Sequence, residues 1–221
     1  EPPVPPDPAA VKLIAALKKG NRAAFAAALK ANPGAGQKKG ESGISPLMVA
    51  ALDGDVQELQ QLLDTGADSN ATNDAGATAL MWAVPDAKKV KLLLERGANP
   101  NAKSLDGRTP LMIAAGMRGS GAAVQLLLDA HADVNVVATD GTTALSQAAY
   151  VNDPALFDRL IAAGASLMKA GPNAVYLALQ FGCARCAERL LAPNALSADM
   201  MTPAAGLLSP PFGAALTIRP H

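Results

Sequence analysis

Residues 107–115 read Gly-Arg-Thr-Pro-Leu-Met-Ile-Ala-Ala, and residues 127–132 read Leu-Leu-Asp-Ala-His-Ala. Both segments recur along the chain, and the first keeps a Leu-x-x-Ala core in every copy. The four cores begin at Leu47, Leu80, Leu111 and Leu145, which are 33, 31 and 34 residues apart (80−47, 111−80, 145−111). A repeat of this length indicates stacked units that bury apolar surface mainly against their neighbours.

Each unit carries the signals of two short helices. A Ser or Thr precedes every Leu-x-x-Ala core and is placed to cap the first helix, at Ser45, Thr78, Thr109 and Thr143. The second helix ends at a residue expected in the left-handed conformation, which is Gly66, Gly97, His131 and Gly164 in turn. Short hairpins with Asp-Gly turns, as at residues 106–107 and 140–141, then lead into the next unit.

The composition limits the classes of function. Of 221 residues, 50% are hydrophobic and 3% aromatic, and 19 Lys and Arg balance 19 Asp and Glu. Zero net charge and few aromatic residues disfavour binding to nucleic acid. The sequence contains no apolar run near the roughly 18 residues that a membrane span requires. We therefore expect no nucleic acid and no membrane span. The stacked repeat points toward binding of a partner of unknown identity, and we expect no cofactor and a monomeric state.

The pattern resembles the ankyrin repeat family, whose unit reads Gly-x-Thr-Pro-Leu-His-x-Ala-Ala, then Leu-Leu-x-x-Gly-Ala and Asn-Ala. The resemblance covers about residues 9–196 and implies an all-α solenoid of helix-turn-helix units joined by short β-hairpin loops. We expect the following order: an exposed Pro-rich lead-in at 1–8, an N-terminal capping helix pair at 9–40, full repeats at 41–74, 75–106, 107–140 and 141–172, a degenerate repeat at 173–196, and a Pro/Gly-broken apolar tail at 197–221. The tail is interpreted as a cap over the last repeat or as the start of a truncated segment.

Two departures from the family pattern affect stacking. The family's His after the first Leu is replaced throughout, by Met48, Met81, Met112, Ser146 and Tyr176. The connection between the two helices is two residues shorter in the second unit, where it contains Pro85, and one residue longer in the third, where residues 116–121 are rich in Gly. We expect packing to replace the hydrogen bonds of the missing His, and the stacking angle to vary.

Cys183 and Cys186 form the only motif with reactive potential. A Cys at the start of a helix can have a lowered pKa and exchange disulfides. The repeat pattern favours a structural role instead, with Cys186 facing inward and Cys183 in the turn between helices. A local disulfide remains open, and it requires an oxidising compartment. The two histidines are not placed as a catalytic pair, and no nucleophile–base set or metal-ligand set is recognised, so we predict a protein that is not an enzyme.

The resemblance implies that a partner protein binds the concave surface and the hairpin tips. The residues after the Ala-Ala pair of each first helix would form an apolar stripe, flanked by hairpin residues. The predicted contact residues are Leu52, Asp53, Asp74, Val84, Leu105, Arg108, Met117, Thr139, Tyr150, Val151 and Phe181. An apolar centre with a polar rim is typical of protein interfaces. The alternative is that the tail, through Leu207, Leu208 and Phe212, covers this stripe.

Three functional hypotheses follow. The first is a non-enzymatic scaffold for protein–protein interaction. The second is a redox or stress-accessory protein that uses Cys183 and Cys186, and the third is the ankyrin segment of a larger secreted enzyme. Because the chain begins at Glu1 with a Pro-rich stretch, we expect a periplasmic or secreted bacterial protein from which a signal peptide has been removed, with a cytoplasmic location as the alternative.

Overall fold

The computed structural model describes residues 5–192, and in that range the chain forms helices joined by short loops. The α-helices are α1 (Pro8–Lys18), α2 (Arg22–Ala31), α3 (Pro46–Leu52), α4 (Val56–Asp64), α5 (Ala79–Ala83), α6 (Ala87–Glu95), α7 (Pro110–Ala115), α8 (Gly121–Asp129), α9 (Ala144–Tyr150), α10 (Pro154–Ala162), α11 (Leu167–Gln180) and α12 (Ala184–Leu191). Two 3₁₀ helices, Pro33–Gln37 and Glu41–Gly43, connect α2 to α3. The described residues contain no β-strand, only an isolated antiparallel bridge between Thr72 and Thr78. The all-α solenoid is confirmed.

The expected caps form at three of the four repeating helix starts. The side chains of Ser45, Thr109 and Thr143 each accept the backbone amide three residues on. Pro46 and Pro110 occupy the first helical position, where the backbone needs no donor. The prediction is wrong for Thr78, which makes no such bond to α5. That helix is only five residues long, and it is the shortest of the inner helices.

The helices form two rows. The inner row runs from α1 through α3, α5, α7 and α9 to α11, with each helix packed on the next. The outer row pairs with it, since α4 packs on α3, α6 on α5, α8 on α7 and α10 on α9. The first Leu of every Leu-x-x-Ala core is buried, at Leu47, Leu80, Leu111 and Leu145. Because burying one Leu contributes about 1.5–3 kcal/mol, these cores hold the stack together.

The hairpin loops form a second stack beside the inner row. Each loop closes on itself, as where the amide of Gly107 donates to the carbonyl of Ser104 at 2.8 Å. Neighbouring loops are joined by backbone hydrogen bonds: Leu105 donates to Ala75 at 2.9 Å, and Thr139 donates to Asp106 at 3.0 Å. The loops therefore make one continuous hydrogen-bonded row.

Gly76 shows how closely these loops approach. Its φ is +73°, a conformation that favours glycine, and a Cβ atom there would lie 2.9 Å from the backbone nitrogen of Leu105. A side chain at this position would push the second hairpin away from the third.

Asparagine side chains also tie consecutive units together. Asn70 donates to the carbonyl of Gly97 at 2.9 Å and accepts from the amide of Asn99 at 2.7 Å. Asn101 and Asn135 make the same pair of bonds one and two units further on. The residues that replace the family's His in the first four units, Met48, Met81, Met112 and Ser146, are buried. The missing His is therefore replaced by packing and also by the hydrogen bonds that the asparagines make between units.

The ends of the array differ from its centre. The predicted N-terminal helix pair is formed by α1 and α2, and the inner helix α3 packs on α1. At the other end, α11 is interrupted at Gly171, where φ is +62° and Pro172 follows. The boundary expected between residues 172 and 173 therefore falls inside a helical run. The tail at 197–221 and residues 1–4 of the lead-in lie outside the described residues.

Candidate functional site

The C-terminal ends of the inner helices and the tips of the hairpin loops form one surface, which we call the inner-helix surface. Helices α3, α5, α7 and α9 contain no Asp, Glu, Lys or Arg, so the helical part of this surface is uncharged. Four of the predicted apolar contact residues are exposed there, namely Leu52 (51%), Met117 (36%), Tyr150 (44%) and Phe181 (41%).

Two other predicted contact residues are buried, and the exposure expected for them is wrong. Val84 is 1% exposed and Val151 is 6% exposed. Val84 directly follows the short helix α5, and the shortened connection at Pro85 turns it into the core. At the end of α9 the surface position belongs to Tyr150, so Val151 points inward. Neither side chain is available to a partner in this conformation.

The exposed aromatic residues lie against each other. The rings of Tyr150 and Phe181 have centroids 4.6 Å apart and planes inclined by 70°, an edge-to-face arrangement. Tyr150 ends α9 and Phe181 directly follows α11, so the contact joins the last two inner helices. Such a pair contributes about 0.5–1.5 kcal/mol beyond the burial of its area. The pair forms a fixed apolar feature on an otherwise smooth surface.

Leu105 and Arg108 come together at the hairpin tips. Leu105 is 77% exposed, and with Arg108 it lines an open cleft of about 340 Å³ between the second and third hairpins. The inner side of this cleft is formed by Met81 of α5 and Ile113 of α7. The cleft therefore reaches from the hairpin tips to the inner helices.

Arg108 lies between two carboxylates. Its guanidinium is 3.0 Å from the carboxylate of Asp106 and 3.0 Å from that of Asp140 in the next hairpin. The hydroxyl of Ser104 donates to Asp106, and this bond together with Arg108 lowers the pKa of Asp106 below its ordinary value. Hydrogen bonds from Thr142, and then Arg108, likewise lower the pKa of Asp140. The pair of ion pairs links two hairpin tips.

The remaining predicted contact residues are spread along the surface. Asp53 caps the C-terminus of α3 beside Leu52. Asp74 is an exposed residue of the second hairpin, and its amide donates to the carbonyl of Ser42 at 3.1 Å. Thr139 is exposed as well, and both its amide and its hydroxyl donate to the carbonyl of Asp106 at 3.0 Å. Whether these residues flank the apolar positions and bind a partner stays a prediction.

The sequence analysis did not identify Lys89, a buried residue of α6 that contacts the C-terminal end of α3. Its ammonium group is buried and donates to the carbonyls of Ala51 at 2.9 Å and Leu52 at 3.4 Å. Burial lowers the pKa of Lys89, while nearby carboxylates, Asp86 foremost, oppose that shift. Lys89 thus holds the end of α3, where Leu52 is exposed. The sequence signal of this role is a Lys at the third position of α6, where α8 and α10 have Ala123 and Leu156 and α4 has Glu58.

Cys183 and Cys186 are joined by a disulfide at the start of α12. Both residues are buried, at 1% and 0% exposure. The predicted placement, Cys186 facing inward and Cys183 in the turn, is confirmed, and the disulfide that the sequence left open is present. Within residues 5–192 no group of three or more His, Cys, Asp or Glu is placed to hold a metal ion. No helix in that range is both long and apolar enough to cross a membrane.

Three overlapping segments of the chain, residues 13–104, 85–170 and 111–203, match the family model of ankyrin repeats. The chain belongs to the ankyrin repeat family. The matched ranges take in part of the N-terminal helix pair and the segment predicted to be a degenerate last repeat. No curated protein matches the chain. Ankyrin repeats are generally protein–protein interaction modules.

Proposed function

We propose that this ankyrin repeat protein is a non-enzymatic scaffold that binds a partner protein on its inner-helix surface and hairpin tips. The observation that carries the proposal is the exposed aromatic pair of Tyr150 and Phe181 on an uncharged row of helices. Aromatic side chains are enriched among the residues that dominate binding energy at protein interfaces.

The surroundings of the pair fit the same role. Leu52, Met117 and Leu105 extend exposed apolar area along the surface. Charged and polar groups, among them Asp53, Asp74 and Arg108, lie beside it. An apolar centre with a polar rim is the usual composition of a protein interface. The hydrogen-bonded row of hairpins fixes these residues before binding, which lowers the entropic cost of association.

A pair of variants tests the proposal. Met117→Lys combined with Tyr150→Lys places two charges on the inner-helix surface, where burying them against an apolar partner is costly. The matched control, Gln125→Lys combined with Ala162→Lys, places the same charges at exposed positions of the outer helices α8 and α10. Tagged proteins are used to capture partners from cells of the source organism, and circular dichroism checks the fold.

We expect the inner-surface variant to lose captured partner by at least about tenfold, since one lost anchor residue costs 2 kcal/mol or more. The control is expected to capture the same proteins as the parent chain. Equal capture by the parent chain and the inner-surface variant, with both folded, would place the binding site elsewhere.

We further infer that the protein acts in the periplasm or outside the cell. The disulfide between Cys183 and Cys186 supports this location, because disulfides persist in oxidising compartments and are rare in the cytosol. Fractionation of cells of the source organism, followed by immunoblotting, tests the inference. Detection of the chain in the cytosolic fraction alone, with both thiols free, would contradict it.

A further inference from the structure

Two outer helices of the array, α4 and α10, begin in a common way, whereas α6 is capped at its second residue and α8 has no side-chain cap. In α4 the carboxylate of Asp55 accepts the amide of Glu58 at 2.7 Å, and in α10 Asp153 accepts the amide of Leu156 at 2.9 Å. Each cap joins the residue before the helix to the third helical residue. A cap of this kind contributes about 0.5–2 kcal/mol to helix stability.

Helix α12 begins differently, although it is the outer helix of the last unit. Cys183 occupies the cap position and makes no capping hydrogen bond to the amides of α12. Its sulfur is bonded instead to Cys186, the third helical residue. The disulfide therefore joins the same two positions that the carboxylate caps join in α4 and α10. The covalent bond stands in for the cap.

We propose that Cys183 and Cys186 form a thiol–disulfide exchange site whose reactant is a dithiol reductant. In the oxidised state the disulfide holds the first turn of α12. In the reduced state this turn has neither a covalent link nor a side-chain cap, and α12 opens from the end of the array.

The dithiol supplies both electrons and both protons that reduction of the disulfide requires. One thiolate of the reductant attacks a sulfur of the disulfide, forms a mixed disulfide and displaces the other cysteine as a thiolate. The second thiol of the reductant, as a thiolate, then attacks its own sulfur in the mixed disulfide and releases the cysteine that was held there. The reductant is oxidised to its own disulfide, and both cysteines are reduced and take up protons to become thiols.

Exposed residues adjoin the buried disulfide, and Arg185 and Arg189 of α12 pair with Asp158. Both sulfur-bearing residues are buried, whereas Gly182, Ala184 and Arg185 beside them are exposed. Opening of the first turn of α12 is therefore enough to admit the reductant. Ends of arrays open at lower free energy than their centres, because a terminal unit has one neighbour instead of two.

Reduction is also expected to change the inner-helix surface. Phe181 lies two residues before Cys183 and forms half of the aromatic pair with Tyr150. Loss of the α12 contacts frees the segment that positions Phe181, so the pair is expected to loosen. This last step rests on the proposed function, since it concerns partner binding. The opening of α12 does not.

The test is hydrogen–deuterium exchange of the full chain, read by mass spectrometry with and without dithiothreitol. On reduction we expect amides of α12 to exchange at least about tenfold faster, which matches the loss of a helix cap, while α3 to α8 remain unchanged. Cys183→Ala combined with Cys186→Ala is expected to behave like the reduced protein. Cys183→Asp combined with Cys186→Leu copies the start of α10 and is expected to restore slow exchange regardless of dithiothreitol.

Three results would overturn the proposal. The first is α12 exchange that is the same in oxidised, reduced and double-alanine proteins. The second is a disulfide that dithiothreitol leaves intact in the folded chain, and the third is two thiols that stay alkylatable after oxidation. Capture of the partner is measured in parallel. If α12 opens on reduction and capture does not change, the exchange site stands and only its link to binding fails.

Discussion

Lys89 fixes the end of an inner helix that belongs to the preceding unit. Its two hydrogen bonds to Ala51 and Leu52 cross 38 and 37 residues of sequence and satisfy carbonyls at the end of α3. A helix end buried without such partners is costly, because carbonyls in the last turn have no donor of their own. One residue therefore connects the stability of the stack with the position of Leu52 on the inner-helix surface.

Lys89→Ala is expected to destabilise the protein by about 1–3 kcal/mol, because buried carbonyls lose their donor. The measurement is the midpoint of urea denaturation, compared between proteins that unfold with the same m-value. Lys88→Ala, at the exposed neighbouring position, is the control and is expected to change stability by less than about 0.5 kcal/mol. Equal midpoints for the two variants would mean that water replaces the ammonium group at no cost.

His131 is a non-glycine residue in a position that the other units give to glycine. Its φ is +60°, and the equivalent residues are Gly66, Gly97 and Gly164. The left-handed conformation costs a residue with a Cβ about 1–2 kcal/mol, and glycine avoids this cost. Part of the gain in stability is offset because glycine raises the conformational entropy of the unfolded chain. We expect His131→Gly to stabilise the protein by about 0.5–1 kcal/mol in thermal denaturation.

Ala130→Gly is the matched control for this change. Ala130 has φ −84°, so its backbone is not strained. Glycine at this position only raises the entropy of the unfolded chain. It is expected to lower the melting temperature. A fall in melting temperature for His131→Gly as well would show that the His131 side chain contributes more than its backbone conformation costs.

At residue scale the sequence predicted some exposures and not others. Leu52, Met117, Tyr150 and Phe181 lie on the surface as the repeat pattern indicates. The burial of Val84 could not be predicted from a repeat pattern that treats all units as equal. The connection after α5 is shorter than in the other units, and it turns Val84 at the end of α5 into the core. The role of Lys89 was hidden because its partners lie one unit away.

The hairpin loops are the elements that link one unit to the next. Arg108 joins two of them through Asp106 and Asp140, whose carboxylates both have pKa values below the ordinary 3.8. A carboxyl group with a lowered pKa in the folded state stabilises that state above its unfolded pKa. This stabilisation is lost as the pH falls through the folded value. The hairpin row should therefore weaken below about pH 4.

Arg108→Gln tests this acid dependence. We expect the variant to melt at a lower temperature than the parent chain near pH 7, and the difference to shrink as the pH falls through the folded-state pKa values of the two carboxylates. Only part of the acid dependence should disappear, because the hydrogen bonds from Ser104 and Thr142 are the larger causes of the lowered pKa values. Lys103→Gln serves as the control. A melting difference that stays constant from pH 7 to pH 2.5 would exclude a role for the ion pairs.

At element scale the sequence predicted the helix pairs well. Leu-x-x-Ala cores, Ser or Thr caps and positive-φ glycines act locally, so they mark helices wherever the unit is complete. The link between the fourth and fifth units could not be foreseen. There Gly171 and Pro172 interrupt one helical run, where a hairpin separates other units. The disulfide was also undecided, because the spacing of Cys183 and Cys186 suits both a bonded and a free pair.

The whole molecule is a row of similar units in which the central inner helices α3, α5, α7 and α9 contain no charged residue. Stacking alone requires only buried residues, whereas Tyr150, Phe181 and Leu105 are large, apolar and exposed. A stack without a partner has no need of these residues at the surface. Their position on the inner-helix surface, beside the row of joined hairpins, is the basis of the binding proposal.

Site-specific photo-crosslinking tests that proposal most directly. A photoreactive phenylalanine analogue is placed at Tyr150 on the inner-helix surface, or at Gln125 on the outer helix α8, and cells of the source organism are irradiated. The account predicts a defined crosslinked partner from position 150 and none from position 125. The same partner crosslinked from position 125 and not from position 150 would contradict it.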